Sequence, residues 1–354
     1  MKKIILPMVA VALMTACSDS NDTANFANAQ NQPGAISSSS NATVPAGESS
    51  SSDAVVPPTG LSSSSDAVLP GVSSSSNGAL PVDLSSSSVA SSAASQFTYA
   101  VPTLTELDPT KTYSFYGAEL SGKVQFKYGR FEARMKMAAI SGSVSSMFLY
   151  YDDSWEKGEK PWNEIDIEVL GKAPDKWQSN IITREGDPSI KANTSSESKP
   201  LHEYGFDATQ DFHLYAIVWT PEYVAWEIDS VEIRRDPIGL SRGSHADADQ
   251  VAFLTEDQTL RFNLWASKST AWTGAWNKGI GLPVEQQIDY VRVYSYDAAT
   301  KGFTMLWQDD FNGEDIDYER WGRGDWEMER VNLRPDNVIV EKGVCRLILD
   351  YEVN

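Results

Sequence analysis

From Phe97 to Asn354 the chain contains short segments in which apolar and polar residues alternate, and this alternation strongly restricts the possible fold. Clear examples are residues 129–136, 213–219, 223–228, 260–265 and 288–294. Period-two alternation rich in β-branched and aromatic residues predicts strands with one buried face. Gly, Pro, Asn and Asp separate the segments, and Thr220-Pro221-Glu222 predicts a hairpin turn. We therefore expect one all-β domain, a sandwich or a barrel, over residues 97–354.

The amino terminus reads as an export signal. Three residues, Met1-Lys2-Lys3, precede an apolar run from Ile4 to Met14, the pattern of a signal peptide. The run is too short to span a bilayer permanently. Because Cys17 follows Ala16 directly, we predict a lipoprotein signal over residues 1–16 with Cys17 lipidated; plain secretion is the alternative. The expected location is the bacterial outer membrane or cell surface, otherwise the medium.

Residues 17–96 have a different composition from the segments that follow. Ser, Ala, Pro, Asn and Val dominate, and four-serine blocks begin at positions 37, 49, 62, 73 and 85. So little apolar content cannot bury a core, which predicts a disordered linker. We interpret it as a tether between the lipid anchor and the domain.

Several function classes are disfavoured by composition. The formal net charge of −20 argues against a nucleic-acid partner, which would need a basic face. The three histidines lack metal-ligand spacing, and neither a serine nucleophile elbow nor a phosphate-binding glycine loop is visible. Cys345 is the only cysteine besides Cys17; its strand-like surroundings predict a buried, inert thiol. An acidic protein of this kind suits a neutral polymer as substrate.

An acidic row stands out in the segment 161–171. If this segment is a strand, Glu164, Asp166 and Glu168 share one face, and isoleucines and a valine share the other. A solvated outer face of a sheet would give the same pattern. Two carboxylates flanking one bond are also what glycoside hydrolysis needs, one ionised and one protonated. The spacing alone does not choose between retaining and inverting chemistry.

Neighbouring segments favour the catalytic interpretation. Each carries polar or aromatic residues at two-residue steps opposite apolar ones, and a loop with Trp272 and Trp276 follows. If these strands lie side by side, the acidic row is surrounded by flat rings that stack on sugars and by groups that bind hydroxyls. The paired positions are Phe148 and Tyr150, Gln178 and Asn180, and Arg261, Asn263 and Trp265. We interpret Trp219 and Trp226 as core residues.

Seven motifs together resemble glycoside hydrolase family 16, and within it the bacterial 1,3-1,4-β-glucanases, or lichenases. The likeness extends over nearly all of residues 113–354. The motifs are GAEL (117–120), GRFEAR (129–134), VSSMFLY (144–150), WNEIDIE (162–168), LGK (170–172), QSNIIT (178–183) and RFNLW (261–265). The resemblance implies a β-jelly-roll sandwich of the concanavalin A-like type, with the active cleft across its concave sheet.

The resemblance also implies residue roles in a retaining double displacement. Glu164 falls at the nucleophile, Glu168 at the acid/base, and Asp166 at the supporting carboxylate between them. Other positions fall in the sugar-binding cleft: Glu119, Phe148, Tyr150, Trp162, Gln178, Asn180, Arg261, Asn263, Trp265, Trp272 and Trp326.

The chain departs from most of the family in the order of its segments. The stretch Trp307–Phe311, the stretch Trp321–Trp326 and the strands through Leu349 resemble what is usually the amino-terminal end. The domain therefore resembles a circularly permuted subset of lichenases. Asn163 replaces an acid that is common before the nucleophile; because it faces away from the acidic row, we expect little effect.

Related sandwiches bind a structural calcium ion away from the catalytic row. Asp289, Asp310 and the carbonyl of Gly343 fall where such ligands would lie, and oxygen ligands of this kind suit calcium. A surface salt bridge of Asp289 is the alternative. We expect no cofactor for catalysis.

The leading hypothesis is an endo-acting hydrolase that cuts 1,4 bonds in mixed-linkage β-glucan. The tight Glu-x-Asp-x-Glu spacing favours it over a laminarin-type 1,3-β-glucanase, which keeps the chemistry and changes the polymer. A non-catalytic β-glucan-binding sandwich is the third hypothesis, although both acids are present. The expected partner is the polysaccharide, with no nucleic acid, a membrane only through Cys17, and a monomeric state.

Overall fold

The computed structural model describes residues 101–156, 160–184, 196–197, 200–240 and 249–354. The expected signal peptide over residues 1–16, Cys17, the linker 17–96 and the first residues of the expected domain lie outside this part of the chain. None of the helices in the described ranges has the length and apolar character needed to cross a membrane.

The described residues are almost entirely strands, as the sequence predicts. One short helix, α1, covers Thr270–Thr273, and two 3-10 turns cover Asn277–Gly279 and Pro335–Asn337. The first nine strands are β1 Tyr113–Phe126, β2 Gly129–Lys136, β3 Ser143–Tyr150, β4 Trp162–Leu170, β5 Lys176–Arg184, β6 Ser196–Glu197, β7 Leu201–Glu203, β8 His213–Trp219 and β9 Tyr223–Ile228. The others are β10 Val231–Pro237, β11 Gln258–Ala266, β12 Val284–Asp297, β13 Gly302–Asp309, β14 Trp321–Arg323, β15 Glu327–Met328, β16 Val331–Leu333, β17 Val338–Glu341 and β18 Val344–Val353.

Two antiparallel sheets form the sandwich. In the first sheet the order is β14, β1, β11, β3, β4, β5 and β7. In the second sheet the order is β13, β12, β2, β8, β9 and β10, and β18 also pairs with β12. The chain thus has the predicted all-β, jelly-roll sandwich fold.

The core lies between the sheets and is built from the apolar positions of the alternating strands. Ile165, Ile167 and Val169 of β4 are fully buried in it, and so are Trp219 and Trp226. Burying each such aliphatic side chain contributes about 1.5–3 kcal/mol to folding. The predictions that these residues form the core are confirmed. Because alternate residues of a strand face opposite ways, the other face of β4 turns away from the second sheet.

Two further local predictions hold. The backbone N–H of Thr220 donates to the carbonyl of Tyr223 at 2.9 Å, closing the predicted hairpin between β8 and β9. Cys345 is fully buried, and burial raises the pKa of its thiol, so it is the inert core residue that its surroundings predict.

The carboxyl-terminal strands complete both sheets and place residue 354 beside the start of β1. The first four residues of β1 pair with the last four of β18, with Tyr113 opposite Val353. The backbone N–H of Asn354 donates to the carbonyl of Thr112 at 3.0 Å. Residues 112 and 354 are therefore neighbours.

Asn163 is a structural residue of β4. It is fully buried; its side-chain nitrogen donates to the carbonyl of Phe253 at 2.9 Å, and its side-chain oxygen accepts from the N–H of Glu256 at 2.8 Å. As expected, it faces away from the acidic row. The amide fastens the segment before β11 to β4, a contact that the sequence did not indicate.

Candidate active site

Strand β4 carries the acidic row on the face opposite its buried isoleucines. Glu164 and Asp166 are each only 3% exposed, and Glu168 is 9% exposed. A solvated outer face would leave carboxylates far more accessible, so that interpretation of the row is wrong. Burying a carboxylate costs free energy unless neighbouring groups pair with it or donate hydrogen bonds to it.

The register of the sheet places the predicted cleft residues beside the acids. Phe148 of β3 and Asn180 of β5 flank Asp166, and Gln178 flanks Glu168. Tyr150 lies opposite Glu164. On the far side of β3, Arg261 of β11 is opposite Phe148, and Glu119 of β1 is opposite Asn263. Residues that lie far apart in sequence thus form one surface because of strand pairing.

Glu164 receives a hydrogen bond from its own strand. The indole Nε1 of Trp162 donates to Oε2 of Glu164 at 2.6 Å. Two positions apart on one strand, the two side chains share a face. The indole therefore orients this carboxylate and satisfies one of its oxygens.

Glu168 is held from the neighbouring strand. Nε2 of Gln178 donates to Oε2 of Glu168 at 2.7 Å, and Nε1 of Trp272 donates to Oε1 of Gln178 at 3.2 Å. The ring of Trp265 lies 6.0 Å from that of Trp272 and is only 2% exposed. Trp265 thus packs behind Trp272 and supports it.

The backbone at Asp166 is bound from the opposite sheet. The indole Nε1 of Trp226 on β9 donates to the carbonyl of Asp166 at 2.9 Å. This contact ties the middle of the acidic row to the second sheet. Sequence reasoning placed Trp226 correctly in the core but gave no sign of this hydrogen bond.

Arg261 joins two acids at the other side of the cleft. Its guanidinium donates to Oε1 of Glu119 and to Oδ1 of Asp152, each at 2.8 Å. Burial raises the pKa of Glu119, and the positive charge of Arg261 opposes that rise. The hydroxyl of Ser146 donates to the side-chain oxygen of Asn263 at 2.5 Å nearby.

A cavity of about 230 Å³ opens on this face beside Glu164. It is smaller than a typical pocket for a whole small ligand, so it suits a section of a longer polymer. Eight predicted site residues line it: Glu119, Phe148, Tyr150, Trp162, Glu164, Arg261, Asn263 and Trp326. Glu168, Gln178, Asn180 and Trp272 do not line it. Glu168 lies further along β4 than Glu164, and Gln178 and Asn180 lie on the neighbouring strand β5.

Three lining residues were missed: Asp152, Trp155 and Met328. Asp152 comes two residues after Tyr150, so continuing the alternation past the end of β3 could have found it. Trp155 belongs to a turn, where alternation gives no direction. Met328 sits on the two-residue strand β15, which is too short to show a pattern.

The predicted calcium ligands are two carboxylates and one carbonyl, and the structure shows an ion pair at one of the carboxylates. Asp289 forms an ion pair with Arg134 at 2.7 Å, the alternative given by the sequence. A Cβ added to Gly343 would lie 3.9 Å from the carbonyl oxygen of Asp310, so these two are neighbours. Within the described ranges, no group of three His, Cys, Asp or Glu residues could hold a metal ion. Calcium binding remains a prediction from the resemblance.

A pair of buried carboxylates beside aromatic rings, on the open face of a β-sandwich, is an arrangement suited to glycoside hydrolysis. Residues 83–292, more than half of the chain, match the model of glycosyl hydrolases family 16. The chain belongs to this family.

Similar proteins include two bacterial beta-glucanases. The beta-glucanase of Fibrobacter succinogenes is 43% identical over 241 residues, which are 66% of this chain and 64% of that protein. The beta-glucanase of Acetivibrio thermocellus is 33% identical over 184 residues, 52% of this chain and 47% of that protein. This chain therefore spans less than two thirds of the length of either relative.

A solved beta-glucanase from Bacillus licheniformis is 27% identical and covers 43% of this chain and 60% of its own, with a TM-score of 0.34. At that score the likeness adds nothing to the strand order described above.

The Glu119–Arg261 pair gives a testable prediction. Arg261→Met should lower the free energy of unfolding by about 3 kcal/mol, because it leaves a buried carboxylate without its cation. Adding Glu119→Gln should recover part of this loss, since the buried charge is then removed. Urea unfolding of the two single variants and the double variant measures the coupling. Strictly additive losses would contradict the pairing.

Proposed function

We propose that this protein is an endo-acting, retaining glycoside hydrolase that cleaves 1,4-β-glucosidic bonds in mixed-linkage 1,3-1,4-β-glucan. One observation carries the proposal. Glu164 and Glu168 share the face of β4 that turns away from the second sheet, both are buried there by neighbouring side chains, and Glu164 lines a cavity. Family membership and the similarity to beta-glucanases support it.

In the first step, a carboxylate oxygen of Glu164 attacks the anomeric carbon of the sugar held beside it. The bond from that carbon to the glycosidic oxygen breaks, and the carboxyl proton of Glu168 passes to the leaving oxygen. The products are a glycosyl ester on Glu164 and a shortened glucan. The hydrogen bond from Trp162 holds Glu164 in one orientation, which favours a single line of attack.

In the second step, Glu168 acts as a base. It takes a proton from a water molecule, whose oxygen attacks the same anomeric carbon and breaks the ester to Glu164. The anomeric configuration is inverted twice and so retained. Gln178 keeps the Glu168 carboxyl near the same position through both steps. Asp166 lies between the two acids on the same face and, by the resemblance, supports the nucleophile.

The charges that line the cavity favour a neutral polymer. Three carboxylates, Glu119, Asp152 and Glu164, face one guanidinium, Arg261. This excess of negative charge would repel a sulfated or uronic-acid polysaccharide. Aromatic rings in the same lining can stack on the apolar faces of glucose units. The cavity chemistry suits both mixed-linkage glucan and laminarin, and the resemblance favours mixed-linkage glucan.

The test is release of reducing sugar from lichenan, laminarin and carboxymethylcellulose. We expect release from lichenan, with Glu164→Ala and Glu168→Ala each abolishing it, because the two acids act as a unit. Release from laminarin alone would show that the substrate is a 1,3-β-glucan and not the mixed-linkage glucan. No release from any of them, with lichenan still bound, would identify a binding module.

The same two variants test the assigned roles. Added azide should restore turnover of an activated aryl glycoside in both, but with opposite anomers. It replaces the nucleophile in Glu164→Ala, whereas in Glu168→Ala it attacks the glycosyl ester. Products of the same configuration from both variants would contradict the assignment.

We propose that the domain is circularly permuted, as the segment order indicates. The adjacency of residues 112 and 354 supports this, because joined ends and a new opening elsewhere would leave the sheets intact. A permuted variant can be opened at the β12–β13 hairpin. It begins at Gly302, continues from Asn354 directly to Thr112 and ends at Asp297, and it should therefore fold. Circular dichroism and thermal unfolding would report it. A chain opened within β4 is the control that should not fold, and equal failure of both would contradict the proposal.

We also propose that the protein is exported and lipid-anchored at Cys17, with residues 18–96 as the tether. The basic start, apolar run and Ala16-Cys17 pair support this. Cells fed labelled fatty acid should incorporate the label into the full chain but not into Cys17→Ala. Equal labelling of both, or of neither, would remove Cys17 as the anchor.

A further inference from the structure

Trp155 is exposed at the rim of the candidate site. Among the described residues it is the only exposed tryptophan, with 42% of its surface accessible. Isolated exposed apolar residues are common and need no function. Trp155 differs from the others because it lines the cavity that Glu164 also lines.

The turn that carries Trp155 is fastened to the sheet. The N–H of Ser154 donates to the carbonyl of Tyr151 at 2.9 Å, and the N–H of Glu156 donates to the carbonyl of Asp153 at 3.0 Å. Ser154 is fully buried, and its hydroxyl accepts from the N–H of Asn163 on β4 at 3.1 Å. The residues on both sides of Trp155 are thus anchored, which reduces the entropy lost when its ring binds a partner.

The position of Trp155 relative to the two acids assigns it to one side of the cleft. The cavity includes Glu164 and extends to Glu119 and Arg261, on strands β1 and β11. Glu168, the proposed acid, and Gln178, which holds it, do not line this cavity. In a retaining reaction the sugars that stay bonded to Glu164 occupy the nucleophile's side. Trp155 is therefore placed on the glycone side, away from the leaving group.

We propose that Trp155 is a sugar-stacking platform that binds a glucose unit on the glycone side of the cleft, beyond the unit bonded to Glu164. This inference rests on the proposed function. The indole face supplies a flat apolar surface for the C–H face of a β-linked glucose unit. Asp152 lines the cavity near it and offers carboxylate oxygens to sugar hydroxyls. Trp155 would thereby select for substrates with a longer glycone part.

The experiment compares aryl β-glucosides that carry two, three and four glucose units on the glycone side. In the wild type, kcat/KM should rise as units are added until one reaches Trp155. In Trp155→Ala that rise should be lost, with kcat/KM about tenfold lower for the longest substrate and unchanged for the shortest. Trp155→Phe should keep most of the rise, because a ring remains.

Leu306→Ala is the matched control. Leu306 is also exposed, at 53%, but it lies on β13 of the second sheet and does not line the cavity, so its variant should behave as the wild type at every length. Equal losses for all three substrates in Trp155→Ala would show a general structural effect and overturn the proposal. Wild-type values at all three lengths would overturn it as well.

A binding measurement separates this proposal from the proposed function. Calorimetry with the four-unit oligosaccharide can compare Glu164→Gln with Glu164→Gln/Trp155→Ala. An approximately tenfold weaker Kd in the double variant supports the platform even if the wild type hydrolyses nothing. Equal Kd values overturn the platform even if the wild type is an active hydrolase.

Discussion

The alternation of β4 is the constraint on which the rest of the site depends. All nine residues of this strand are buried, yet its two faces have opposite chemistry. Ile165 and Ile167 bind the strand to the core, and this apolar contact fixes the register. A slip by one residue would send carboxylates into the core and isoleucines to the open face. The energy that folds the sandwich therefore also positions Glu164 and Glu168.

Burying the acids on the other face is unfavourable, and the surrounding strands reduce that cost. Trp162 and Gln178 each supply an N–H to a buried carboxyl group of the acidic row, and a hydrogen bond to an ionised carboxylate is stronger than a neutral one. Trp226 holds the backbone between them from the opposite sheet. Because the donors come from three different strands, the site exists only when both sheets are assembled.

The sequence was sufficient for the fold class and for the faces of the central strands, because a period of two assigns every side chain to one side or the other. It correctly placed Ile165 in the core and Glu164 on the open face. The pairing partners were not derivable in this way, because alternation within a strand says nothing about which strand lies beside it. The Trp226 contact with Asp166 and the Arg261 bridge to Asp152 depend on such pairings. Turn residues such as Trp155 have no period, so their direction required the structure.

The two sides of the acidic row are built differently, and this difference fits what each side would do in the proposed reaction. On the β5 side, Gln178 and Trp272 form a chain of hydrogen bonds that ends on Glu168. On the β3 side, Glu164 borders a cavity whose polar groups, Arg261 and Asp152, bind each other. In the proposed reaction, one side must exchange a leaving group for water, whereas the other must hold the same sugar through both steps. A preformed, ring-lined cavity beside the nucleophile meets the second requirement, because sugars bound there keep the ester in place while water enters beside Glu168.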